Sequence, residues 1–313
     1  MDTTTYNIDD LRRWAQSGPG DISPPPKVAV FGDPVAHSLS PEMHNPALKE
    51  CGIDAQYVRL HITPEDLEEA LRLLPAAGFY GTNVTIPHKT DVLRLVDSPD
   101  DLAKSLGAVN TVICEGDSLL GFNSDGPGFI QAVQHEFHVD VKDLRVLVLG
   151  AGGGAGRAVA TQCAIVGCER LVLANRTFKK VEALKTDLES HFHDERVLGP
   201  SDRLVAIPWE VDALAAELDE VDLIVNGSSL GMKRTDPELI PARLIQPHHM
   251  IFDMVYSGAE TKILNAAKSA GARGIDGLPM LLHQGVISFE WWFNRDAPIE
   301  AMRNGLMEAA RNR

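Results

Sequence analysis

The sequence predicts an α/β protein built from two domains, on three observations. Short runs rich in Val, Ile and Leu alternate with helix-period segments of about ten residues, the pattern of βαβ units and a mostly parallel sheet. The alternation pauses near residue 124 and restarts at Arg145, where a strand runs directly into a glycine-rich turn. A chain of 313 residues also exceeds what one hydrophobic core usually organises.

Residues 1–26 read as an appendage and linker: Asn7 is placed to cap a short helix through Trp14, and S-G-P-G then S-P-P-P is linker chemistry. K-V-A-V-F-G (27–32) is a strand, Pro41 to Cys51 a helix, and Q-Y-V-R-L-H-I (56–62) a second strand. Thr63 stands as the cap of a helix over Pro64–Leu74. G-T-N-V-T-I (81–86) is a third strand, stopped by Pro87, which has no N–H for a ladder. A-V-N-T-V-I-C (108–114) and S-L-L-G-F-N (118–123) form an edge hairpin around Glu115–Asp117. The second series runs R-V-L-V-L-G (145–150), R-L-V-L-A-N (170–175), L-V-A-I-P (204–208), V-D-L-I-V-N (221–226) and M-I-F-D-M-V-Y (250–256), with helices from Leu278 and Pro298. The expected domains are 27–124, completed by helices 278–313, and 125–277.

Composition narrows the function classes. A net charge of −15 opposes a nucleic-acid partner, whose phosphates require cationic contacts. A small anionic ligand is still allowed, because exposed charges are screened over about 10 Å and a few cations can dominate a cleft. Cys51, Cys114, Cys163 and Cys168 show no C-x-x-C spacing and no clustering with histidine, as expected of free thiols in a reducing compartment. The opening M-D-T-T-T-Y-N-I-D-D lacks the pattern of a secretory signal, and no apolar run reaches the roughly 18 residues of a membrane span. A cytoplasmic protein without membrane partners, monomeric or homodimeric, is expected.

Behind the strand ending at Leu149 comes G-A-G-G-G-A-G-R-A, then the helix V-A-T-Q-C-A-I-V. Gly150, Gly152 and Ala155 fit the dinucleotide pattern G-x-G-x-x-G/A in its strand–turn–helix context. Glycines permit the tight turn and the close approach of a pyrophosphate, and the helix N-terminus offers unpaired amides, here those around Ala151, Gly153 and Gly154. The next strand ends A-N-R-T, Asn175, Arg176 and Thr177, with Lys179 and Lys180 following. An arginine there can grip a 2′-phosphate, whereas an acid would repel it, so NADP is expected rather than NAD.

S-L-S-P-E-M-H-N (38–45), N-V-T-I-P-H-K (83–89), G-A-V-N-T (107–111), N-S-D-G (123–126), N-R-T (175–177) and G-L-P-M-L-L-H-Q (277–284) occur in this order. Together they closely resemble the shikimate/quinate dehydrogenase family, from about Lys27 to the C-terminus. The resemblance implies an N-terminal substrate-binding domain with a mainly parallel sheet and a Rossmann-like NADP domain. It also implies NADP-dependent interconversion of 3-dehydroshikimate and shikimate, a step toward aromatic amino acids. The glycine loop is one residue longer than the family's usual G-A-G-G-A, and residues 1–26 lie outside the pattern.

By the same resemblance Ser38 and Ser40 bind the substrate carboxylate, although Ser40 before Pro41 also reads as a helix N-cap. Thr85, Asn110 and Gln284 bind hydroxyls, and Tyr256 reaches the substrate. Met254 and Gly277 flank the nicotinamide, and Lys180 joins the cofactor set. Lys89 and Asp125 are the reacting pair. Lys89 lies past the carboxyl end of a strand, where open α/β sheets place ligands, and Asp125 before Gly126-Pro127 reads alternatively as a turn or cap. Two divisions of labour stand open: Lys89 shuttles the proton itself, or it stays cationic beside the alkoxide while Asp125 accepts the proton. His44 and His88 form no three-ligand set, so no metal is expected. Two alternatives are a preference for quinate and a catalytically silent NADP-binding sensor, which should lack Lys89 or Asp125.

Overall fold

The computed structural model describes residues 4–192, 203–256 and 260–312, and divides into two compact units, Met1–Gly128 with Leu281–Arg313, and Phe129–Met280. Both breaks fall a few residues beyond the expected boundaries, inside helices that continue past them.

The first unit opens with β1 (Thr5–Asn7) and α1 (Ile8–Ser17). Asn7 caps α1 as expected: its Oδ1 accepts from the amides of Asp9 and Asp10, and Asp10 accepts from the amide of Asn7 in return. There follow β2 (Pro26–Gly32), α2 (Ser40–Glu50), β3 (Gln56–His61), α3 (Leu67–Ala76), β4 (Gly81–Val84) and α4 (Lys89–Leu95). The unit continues with β5 (Ser98–Pro99), α5 (Asp101–Leu106), β6 (Thr111–Glu115), β7 (Ser118–Phe122) and the start of α6 (Asp125–Phe137). The sheet order is β1-β3-β2-β4-β6-β7-β5. β1, β3, β2 and β4 run parallel, while β6 pairs antiparallel with both β4 and β7, forming the expected hairpin.

Residues 5–17 are no appendage. β1 extends the sheet by pairing Thr5 to Asn7 with Arg59 to His61, and Ile8, Leu11 and Trp14 enter the same core as Phe31, Leu60 and Leu71. Linker-like composition after Gly18 hid this, because strand addition at an edge leaves little local signal in three residues. Along β3 the two-residue period sends Val58 and Leu60 into that core and turns Tyr57 and Arg59 to the opposite face. Thr63 does not cap a helix; its hydroxyl donates to Asp66, and α3 begins one turn later.

The second unit holds β8 (Arg145–Leu149), α7 (Gly154–Ile165), β9 (Arg170–Asn175), α8 (Phe178–Leu188), β10 (Leu204–Pro208) and α9 (Val211–Leu218). It ends with β11 (Leu223–Asn226), β12 (Met250–Asp253), α10 (Lys262–Ala270), β13 (Arg273–Ile275) and the start of α11 (Leu278–Phe293); α12 (Ile299–Arg311) closes the chain. All neighbours in the order β10-β9-β8-β11-β12-β13 are parallel. Alternate residues feed two cores: Val146, Val148, Leu171 and Val225 one, Leu147, Leu149, Val172 and Ile224 the other. A parallel sheet covered on both faces reads as a continuous apolar run, which is why these strands were legible. β13 is short and carries Arg273 and Gly274, so its pattern is silent. Among the described residues no helix is long and apolar enough to cross a membrane.

Candidate active site

The first unit holds both expected catalytic residues and all the expected substrate-binding residues except Tyr256. Lys89 opens α4, and its Nζ stands 2.6 Å from Asp125 Oδ2, thirty-six positions along the chain. Both side chains are partly buried, at 30% and 17% exposure. Asn123 Oδ1 accepts from the amides of Asp125 and Gly126, and the Asp125 carboxylate accepts from Lys89. The amide of Val109 donates to Lys89 O, and Asn110 is the next residue along the chain.

Ser40 does not cap α2, whose N-cap position is Leu39 without a side-chain bond. Its hydroxyl instead accepts from Ser38 Oγ at 3.1 Å and lies within hydrogen-bonding reach of the Tyr57 hydroxyl. Arg59, almost fully buried and paired with Glu42, donates twice to Ser38 O and so holds the serine loop from behind. Thr85 follows β4; a side chain at Gly32 would meet its methyl at 2.6 Å, so glycine is needed for the strand and loop to approach.

Asn110, Gln284 and five residues the sequence reading left out form one buried polar network. The Tyr57 hydroxyl donates to Asn83 Oδ1 at 2.8 Å, and Asn83 Nδ2 donates to Thr111 Oγ1 and to Ser288 Oγ. Ser124 joins Asn110, Thr111, Ser288 and Gln284. Asn83, Thr111 and Ser124 lie inside the ordered motifs, and Asn83 and Thr111, polar residues within strands, were a signal. Tyr57 and Ser288 carried none, since a tyrosine in a strand and a serine in a helix are ordinary. Burial holds the Tyr57 hydroxyl far above its usual range and therefore neutral, so it acts as a hydrogen-bond donor.

In the second unit the glycine loop has a different spacing from the expected one. Side chains at Gly150 and Gly152 would strike Ser228 and Lys180, at 2.8 and 2.7 Å. The glycine for close helix–strand contact is Gly156, not Ala155: a Cβ there would lie 2.4 Å from Gly150 O, and one at Gly227 would lie 2.5 Å from Gly156 Cα. One added residue moves the contact one place along α7. Gly153, Gly154 and Ala155 are exposed, and no side chain caps α7, so its first amides are available. Asn175 Nδ2 donates to Thr177 O, shaping the turn after β9. No carboxylate among the described residues pairs with Arg176, Lys179 or Lys180, and all three are exposed. Free amides, a glycine cradle and unpaired cations fit a dinucleotide carrying an extra phosphate.

Met254, Tyr256 and Gly277 also come together. A Cβ at Gly277 would sit 2.3 Å from Met254 O and 3.1 Å from the Tyr256 ring, so only glycine fits. Beside them Asp253 is fully buried, accepts from Asn226 Nδ2 and Thr261 Oγ1, and has its pKa raised by burial.

A lysine–carboxylate contact in one α/β unit and a glycine-loop helix in a Rossmann-like unit define a two-unit α/β oxidoreductase class. Residues 30–112 match the family described as shikimate dehydrogenase substrate binding domain, and residues 277–307 match the shikimate 5′-dehydrogenase C-terminal domain. A protein of Methanopyrus kandleri named shikimate dehydrogenase (NADP(+)) is 40% identical over 286 residues, 91% of this chain and 96% of its own. One of Symbiobacterium thermophilum with the same name is 39% identical, over 95% of this chain and 97% of its own. The solved shikimate 5-dehydrogenase of Thermus thermophilus, in complex with NADP(H) and shikimate, shares 34% identity at a TM-score of 0.78, covering 91% of this chain and 99% of that one. The chain belongs to the shikimate dehydrogenase family.

Proposed function

We propose that this protein is an NADP-dependent shikimate dehydrogenase, reversibly reducing 3-dehydroshikimate to shikimate. The observation that carries the reading is the 2.6 Å contact of Lys89 Nζ with Asp125 Oδ2, Asp125 following Ser124, whose amide donates to Asn110 Oδ1 in the polar network. Oxidising a ring alcohol removes a hydride from carbon and a proton from oxygen. The Lys89–Asp125 pair takes that proton, and in reduction the Lys89 ammonium returns one to the forming alkoxide. Ser38 and Ser40 receive the substrate carboxylate, Arg59 holding their loop. Thr85, Asn110 and Gln284 meet ring hydroxyls, and neutral polar groups in such a site reject rings that lack the matching oxygen.

When bound, NADP supplies the hydride acceptor. The amides at the start of α7 would hold its pyrophosphate, with Arg176, Thr177 and Lys180 at the 2′-phosphate and Met254, Tyr256 and Gly277 beside the nicotinamide end. Four free cysteines accord with a cytoplasmic enzyme. The test is one assay: shikimate and NADP incubated with the protein, following absorbance of the reduced cofactor, with quinate in parallel. Shikimate is expected to give the higher kcat/KM. A higher value on quinate would move the substrate assignment, and no reduced cofactor with either acid would leave a binding protein.

A further inference from the structure

Ser288 lies on α11, one helical turn after Gln284, with no exposed surface. Four polar groups surround its hydroxyl: Asn83 Nδ2 at 2.9 Å, Thr111 Oγ1 at 2.9 Å, Ser124 Oγ at 3.2 Å and Gln284 O at 3.0 Å. A hydroxyl has one proton and two lone pairs, so which of these groups donate is constrained. Gln284 O can only accept, and it takes the Ser288 proton. Asn83 Nδ2 can only donate, and its orientation is set because Tyr57 donates to Asn83 Oδ1. The remaining lone pair of Ser288 faces the hydroxyls of Thr111 and Ser124, and Thr111 Oγ1 also donates to Asn110 Oδ1 at 3.0 Å.

Ser288 thereby holds the Ser124 hydroxyl. The backbone amide of Ser124 donates to Asn110 Oδ1 at 2.8 Å, while Ser124 Oγ accepts from Asn110 Nδ2 at 3.0 Å and stands 3.2 Å from Ser288 Oγ and 3.5 Å from Gln284 Oε1. Gln284 Nε2 donates to Leu281 O at 2.8 Å. Backbone groups cannot reverse their polarity, so neither amide can flip without losing a buried bond. Each amide thus has its polarity set by one backbone group and has one N–H left over.

We propose that Ser288 is a positioning residue that holds the Ser124 and Thr111 hydroxyls and the Gln284 carbonyl in place, so that Asn110 and Gln284 each keep an N–H presented to the substrate and both read ring oxygens as acceptors. The proposal rests on the reading that these two amides bind the substrate. It matters for the chemistry because a carbonyl oxygen can only accept, so a donor-only pair serves hydroxyl and ketone forms of the ring alike.

The test compares wild type with Ser288→Ala and Tyr57→Phe on shikimate and on the two mono-deoxy shikimates that keep the reacting hydroxyl. Ser288→Ala removes one bonding partner from each of Asn83, Thr111 and Ser124 and loosens the hydroxyls that position the Asn110 amide. KM for shikimate should rise about tenfold with kcat changed far less, and the preference for shikimate over at least one deoxy analogue should fall by a similar factor. Binding of NADP, followed by fluorescence, should be unchanged. Tyr57→Phe, which keeps the ring and deletes one donor, should move KM in the same direction and carries the test if Ser288→Ala does not fold. An unaltered preference for both analogues in a folded variant, or loss of kcat and thermal stability without a change in KM, would overturn the proposal. Failure of wild type to oxidise shikimate would instead strike the functional reading beneath it.

Discussion

Replacing Lys89 with alanine probes the contact on which the catalytic reading rests. Lys89 Nζ and Asp125 Oδ2 are 2.6 Å apart, and the lysine side chain is 30% exposed. A partly exposed ion pair contributes about 0–1 kcal/mol to stability. For a protein of this size the melting temperature should therefore fall by no more than about 4 °C. Catalysis should suffer far more. A positioned proton-transfer group contributes about 10²–10⁴-fold, which at 1.36 kcal/mol per tenfold is about 3–5.5 kcal/mol of barrier. The assay is initial-rate kinetics in shikimate at saturating NADP, beside a thermal melt and an NADP titration. The expected result is a kcat lower by that factor with unchanged NADP affinity, because the proposed cofactor-binding groups belong to Phe129–Met280. A folded variant whose kcat stays within about threefold of wild type would remove Lys89 from the mechanism.

Other expectations follow from the same structure. Arg176→Asp should lower the ratio of kcat/KM for NADP over NAD by about 10–100-fold, since a charge-assisted bond is exchanged for repulsion; an unmoved ratio would place the 2′-phosphate elsewhere. Trp14, 2% exposed and stacked on Phe79, should cost about 3–5 kcal/mol in urea denaturation when changed to alanine, whereas a free appendage would cost nothing. His44 is buried against Tyr57, Phe289 and Trp292, with neither ring nitrogen bonded among the described residues, and burial lowers its pKa from 6.5 to about 3. In that case the unfolded chain takes up a proton that the folded chain refuses, so stability falls as pH drops below 6.5. Between pH 7 and pH 5 this histidine should account for about 2 kcal/mol of loss, and His44→Phe should remove that part of the slope.

The sequence by itself settled the α/β class, the two series of strands, the glycine loop and the cation cluster after β9. Each is written locally, in two-residue or helical periodicity, in glycines at a strand–helix turn, or in charges adjacent along the chain. The ordered motifs also carried the candidate residues, although not their contacts. Only the tertiary structure joined Lys89 to Asp125 and seated β1 on the edge of β3. It also moved the close helix–strand contact from Ala155 to Gly156 and showed Ser40 outside the capping role its sequence position also allowed. Ser288 shows the limit most clearly, since its bonds to Asn83, Thr111 and Ser124 reach up to 205 positions back along the chain. Such pairings cost loop-closure entropy that no nearby residue offsets, and they form only when the sheet and α11 have already been packed by their apolar faces.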